Sequence, residues 1–269
     1  MFLSIKKVPK TYWSSGKPFN FKPKFSTLFF LCLGLSLFGL GEGLLIVSYT
    51  GASPWSVLAQ GISLNVNLSI GVITLLISIG VLFFCCFGLM LFGLGEGLLI
   101  VSLTGASPWS VLAQGISLNI NLSIGMITFL ISVAVLILWI PLGQKPGMAT
   151  ILNALIIAIM IDICIKFVPS PSNYLNQIIL AIVSVIVVGI GGGIYLVSNL
   201  GAGPRDGLMV GLQIKSNLPI AFVRAILEIT VVSIGWYLGG TVGIGTLLFA
   251  FGIGPCVALG LYLVDKLFD

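Results

Sequence analysis

The side chains that could do chemistry are few, and they are charges set in apolar surroundings. Glu42 and Glu96 each lie late in an apolar stretch, each inside a G-x-G-E-G string. Further on come Arg205 and Asp206 in GAGPRDGL, then Arg224 and Glu228 in VRAILE. An ionisable group in hydrocarbon costs at least ~2.5 kcal/mol, so it marks a substrate or ion pathway unless it reaches the interface. For Glu42 and Glu96 both readings fit. Arg224 and Glu228 are four residues apart and share one helix face, where pairing lowers the cost of burying each. That spacing suits a structural ion pair or a substrate site. Asp206 follows a Gly-Pro turn and could equally cap the next helix.

Other chemistries find no support. The chain has no His, so His-based catalysis and His metal sites are excluded. There is no G-x-S-x-G, no phosphate loop and no intramembrane aspartate pair. With no nucleophile–base pair in view, an enzyme is not expected. Cys32, Cys85, Cys86, Cys164 and Cys256 all lie in apolar segments. Their spacing fits neither a disulfide framework nor a zinc site, and they read as small apolar residues. Strings such as Gly189-Ile190-Gly191-Gly192-Gly193 suit close helix packing. No cofactor or metal is expected.

The elements that must position these charges are membrane helices. Apolar residues make up 58% of the chain and charged residues 7%, against about 25% charged in a soluble domain. So few charges could not cover a globular surface. Between Lys24 and Lys145 the only charged side chains are Glu42 and Glu96. Several windows reach the roughly 20 apolar residues that a crossing needs. The fold class is therefore all-α, a polytopic transmembrane bundle. The net charge of +5 does not point to nucleic acid, because six of the twelve cations crowd into residues 6–24. They suit a cytoplasmic tail beside the bilayer.

Two internal repeats organise the chain. Residues 39–82 and 93–136 differ at six of 44 positions, at an offset of 54. A recent in-frame duplication is the simplest origin. An older repeat lays 88–162 on 184–258 at an offset of 96. It aligns Gly105-Ala106 with Gly201-Ala202, Pro108 with Pro204, Asn121 with Asn217 and Gly147 with Gly243. Matches at Gly, Pro and Asn weigh most, because these residues fix backbone geometry. Each older unit holds three crossings, an odd number, so consecutive units must be inverted, as in many secondary transporters. The organisation read from this is a basic tail 1–25, a duplicated copy 26–84, a first three-helix unit 85–168 and a second 169–269.

Candidate spans are 27–48, 68–84, 85–103, 122–141, 147–168, 177–197, 220–238 and 243–264. Residues 68–102 carry no polar turn, and as one helix they would run ~51 Å. Two short crossings with a turn near Cys85-Cys86-Phe87-Gly88 keep Lys145, Arg205 and Lys215 on the cytoplasmic side with the tail, as the positive-inside rule asks. A single crossing would put them outside. The expectation is two.

The run GAGPRDGL, the VR with Glu228 four residues on, LGGTVGIGT and GIGP resembles the YczE/YyaS/YitT-type bacterial membrane proteins. GASPWSVLAQGIS resembles the first half of that family. The likeness covers roughly residues 25–264 once one tandem copy is discounted. It implies a small multi-pass inner-membrane protein without naming a substrate. Two functions are expected from the whole: a small transporter for an unknown solute or ion, or a non-transporting accessory subunit. Lipid is the certain partner, with a protein partner or a homo-oligomer open.

Overall fold

In a computed structural model, residues 24–48 and 52–268 are described, and among them the regular elements are helical. In chain order they are α1 (Phe25–Val47), α2 (Pro54–Ser63), α3 (Ile70–Val101), α4 (Pro108–Ile120), α5 (Ile124–Leu142), α6 (Met148–Phe167), α7 (Tyr174–Val197), α8 (Pro204–Ser216), α9 (Ile220–Tyr237) and α10 (Ile244–Phe268). Seven of them, all but α2, α4 and α8, are long and apolar enough to cross a bilayer. The chain is thus a polytopic helical membrane protein. It divides into two compact units, residues 1–78 and 79–269.

One sequence expectation is corrected. Residues 70–101 form a single uninterrupted helix of 32 residues, with no turn at Cys85-Cys86-Phe87-Gly88. Spans 68–84 and 85–103 are therefore one element. The physical reason lies in what the join lacks. A reversal needs backbone groups that leave the helix and find polar partners, and an all-apolar stretch in lipid supplies none. Continuing the helix satisfies every N–H and C=O internally. A second difference concerns the connections 49–67, 104–121 and 199–219, expected as loops. Each holds a short helix, α2, α4 or α8, that opens with Pro in its first turn.

Within residues 79–269 the backbone repeats at the interval of 96. Left-handed backbone occurs at Leu103 and Asn199 (φ 60° and 51°), Gly105 and Gly201 (115° and 123°), Asn121 and Asn217 (55° and 56°), and Gly143 and Gly239 (69° and 101°). These turns stop each element at the same place in both halves. The halves also bond alike: Gly245 N–H donates to Thr104 O at 2.9 Å and Ala149 N–H to Leu200 O at 3.1 Å, again 96 apart on both sides. The short helices pack crosswise, α4 on α9 and α8 on α5.

Glycine strings bring the long helices close. A Cβ on Gly193 would stand 2.6 Å from the Gly260 carbonyl carbon on α10, and one on Gly189 would meet Cys256. Small residues let backbones approach in lipid, where packing rather than hydrophobicity drives association. Gly193→Ala should therefore lower stability by about 1–3 kcal/mol, the range for overpacking a tight interface. Gly80→Ala is the control, because nothing lies within 4 Å of its would-be Cβ and the second copy carries Ala134 there. Thermal unfolding in detergent reads both.

Candidate functional site

The geometry starts with Glu96. Its glycine-flanked place on α3 leaves room for neighbours, and the chain folds back at Gly105 to begin α4 beside it. Ser107, the residue before Pro108, and Ser110 in the first turn of α4 each donate a hydroxyl to Glu96 Oε2 at 2.6 Å. The amino end of α4 also carries the positive end of the helix dipole, which favours a carboxylate. Glu96 is 1% exposed. Its other oxygen, Oε1, is buried and has no hydrogen-bond partner. The tandem copy forms the same clamp: Ser53 and Ser56 donate to Glu42 Oε2 at 2.8 and 2.7 Å.

Glu96 lines a cavity of about 270 Å³, and Arg205, Asp206, Arg224 and Glu228 line the same one. All five charges singled out in residues 79–269 of the sequence, apart from those near the helix ends, thus meet around one space. Arg224 Nε donates to Glu228 Oε1 at 2.8 Å, the ion pair expected from the i, i+4 spacing. The amino end of α8 carries no side-chain cap; Asp206 instead accepts the Tyr195 hydroxyl at 2.9 Å. The Arg205 guanidinium lies 5.4 Å over the Trp109 ring. The carboxylates acting on it are Glu96 and Asp206.

The lining obeys the older repeat. Trp109 matches Arg205, Thr128 matches Arg224, Ser132 matches Glu228 and Ile157 matches Ile253, all 96 apart and all on the cavity wall. The walls are equivalent in backbone and unequal in charge. Thr128 and Ser132 donate to the carbonyls of Ile124 and Thr128, so their lone pairs remain for a guest.

Sequence reasoning missed several wall residues, among them Trp109, Asn153 and Tyr195. Trp109 was legible, since it aligns with Arg205 in the older repeat. It also missed Asp162, which is part of a different feature. Asp162 accepts Ser123 Oγ at 2.6 Å and Gly125 N–H at 2.7 Å, tying α6 to the start of α5.

Fold and site together define a multi-pass membrane protein with seven long apolar helices and a partly open cavity lined by charged and apolar side chains. The chain belongs to the Family of unknown function (DUF6198), whose profile matches residues 79–261. It is 42% identical over 181 residues to an uncharacterized protein of Haemophilus influenzae, covering 67% of this chain and 83% of that one. It is 31% identical over 170 residues to the uncharacterized membrane protein YczE of Bacillus subtilis, covering 62% of this chain and 79% of YczE. It is 32% identical over 166 residues to the uncharacterized protein YyaS of Bacillus subtilis, covering 60% and 82%. No solved structure matches the chain significantly.

Proposed function

We propose that this protein is a small-solute permease of the bacterial inner membrane, with the cavity as its solute site. The observation that carries the reading is the buried, unpartnered Glu96 Oε1 on the wall of a cavity that also holds two arginines and two further carboxylates. An unpaired buried polar atom costs about 1–3 kcal/mol, and a site that must receive a guest is a reason to carry that cost. The repeat supports it too. Crossings α3, α5 and α6 answer to α7, α9 and α10, three against three, which calls for inverted halves around a central site. The chain's own groups do the work: carboxylates and arginines set the charge of the guest, and the aromatic walls exclude water around it.

Glu228→Gln tests the reading. It keeps shape and removes one charge of the Arg224 pair. The expected result is normal expression with uptake, screened by comparing metabolites in cells with and without the protein, reduced at least about tenfold. Full activity in Glu228→Gln sinks the role of that pair, and no difference in any metabolite sinks the permease.

A second reading, a non-transporting accessory subunit, is favoured by residues 52–78. There α2 leaves Trp55 63% exposed, an apolar face suited to a protein partner. A stoichiometric companion in purification supports this reading; a lone protein that moves solute removes it.

We also place the lysine-rich tail in the cytoplasm, on the cation asymmetry.

A further inference from the structure

We propose that the cavity takes a small primary alkylamine as its ammonium ion, with Glu96 Oε1 accepting an ammonium N–H; this rests on the permease reading and names its substrate class. The cavity's polar groups are mostly committed. Arg224 is bound to Glu228. Asp206 accepts the Tyr195 hydroxyl. Glu96 Oε2 already accepts two hydroxyls. Among the described residues, Glu96 Oε1 is the buried side-chain oxygen left with no donor, while the Thr128 and Ser132 hydroxyls keep lone pairs that can accept from the same guest. A donor is required there, and its charge is set by the neighbours. The wall carries three carboxylates, Glu96, Asp206 and Glu228, against two guanidinium groups, Arg205 and Arg224. A neutral donor would satisfy the oxygen and leave one negative charge in excess. A cationic N–H donor satisfies both, and charge-assisted hydrogen bonds are the strong ones.

The rest of the wall describes the guest's body. Phe92, Ile157, Phe249 and Ile253 also line the cavity, so a short hydrocarbon chain is solvated by packing where a bare metal ion would not be. Aromatic faces add attraction for a desolvated cation. An anionic or zwitterionic guest would have to compete with Glu228 for Arg224, or with the Trp109 ring and the Glu96 and Asp206 carboxylates for Arg205.

The test uses the full-length protein in detergent, with n-butylammonium as probe and n-butyrate, 4-aminobutanoate and sodium ion as comparators at equal ionic strength. Butylammonium should raise the thermal midpoint in a saturable way, and the comparators should not. Glu96→Gln should weaken butylammonium binding at least about tenfold, because the amide keeps an oxygen for Ser107 and Ser110 but offers the ammonium no charge. Glu42→Gln, outside the cavity, should bind as the parent does. Equal stabilisation by sodium, butyrate or 4-aminobutanoate overturns the inference, as does unchanged binding in Glu96→Gln with its unfolding transition intact. Currents on solid-supported membranes then separate the two claims, since passive passage of the neutral amine carries no charge. Binding without current removes the permease and leaves the amine site. A Glu96-dependent current with some other solute, and no butylammonium binding, removes the amine and leaves the permease.

Discussion

Excising residues 39–92 is expected to give a six-span protein whose N-terminal tail and Lys215 lie on the same side of the membrane, whereas in the full chain they are expected on opposite sides. The parity follows from the single helix α3. Between the tail and Lys215 the full chain has five helices long and apolar enough to cross, α1, α3, α5, α6 and α7, an odd number. Cutting 39–92 joins Phe25–Phe38 to Gly93–Val101, and the product helix has the sequence of α1, because 39–47 and 93–101 are identical. One crossing is lost and the parity becomes even. The tail, Lys145, Lys215 and Lys266 then all share one side, which the positive-inside rule favours. In the full chain the six cations of the tail compete with those of the following helices, and one group must lose.

Packing should survive the cut. On α3, Gly88 approaches α7 so closely that a Cβ there would stand 2.6 Å from Tyr195 N, and Leu89 is fully buried. After excision the same places are taken by Gly34 and Leu35, and Phe92 is replaced by Phe38. Single cysteines near Lys10 and Lys215, labelled from outside with an impermeant thiol reagent, read the result. One labelled site in the full chain and none in the short one is expected. Two protected sites in the full chain would mean that one of the five crossings is not made. A short protein that fails to insert would show the extra copy to be a working part.

Replacing Glu96 by Ala should cost about 3 kcal/mol or more of stability, while the same change at Glu42 should leave the unfolding midpoint where it was. The two sites carry the same clamp, two serine hydroxyls on one carboxylate oxygen, so chemistry is held constant and burial alone differs. Hydrogen bonds to a charged group are worth about 1.5–3 kcal/mol each. At Glu96 two of them are lost in a fully buried place, and Ser107 and Ser110, 1% and 0% exposed, are left without their acceptor. At Glu42 the serines Ser53 and Ser56 are only half-buried, so their freed hydroxyls are not sealed inside the protein. Thermal unfolding in detergent decides it. Equal losses at both sites would mean that the clamp holds its helix to its loop wherever it occurs, independent of burial.

How much of this was legible in the sequence follows from the range of each signal. Hydropathy is local, so the membrane class and the bounds of α5, α6, α7 and α9 could be read directly. The older repeat was legible because Gly, Pro and Asn mark turns: Asn121 and Asn217 do end α4 and α8 in left-handed backbone. Charges were legible as candidates because they are rare in an apolar chain, and the Arg224–Glu228 pair needed only helical spacing.

Other features depended on tertiary structure. An apolar run without a polar turn is compatible with one helix or two, and the choice fell to backbone satisfaction in α3. The clamp on Glu96 spans 11 and 14 residues but joins two different helices, so spacing along one helix does not reveal it; it exists because the chain reverses at Gly105 and begins α4 against α3. Nothing in the local sequence singles out Tyr195, and only the approach of α8 gives its hydroxyl the Asp206 carboxylate. Residue type and local spacing settled which groups could be charged and that the chain is built of membrane-suited helices, but not that residues 70–101 form one of them. That Glu96 shares one cavity with charges more than a hundred residues away was decided by the packing of one half of the repeat on the other, because a contact between distant segments leaves no period in the chain.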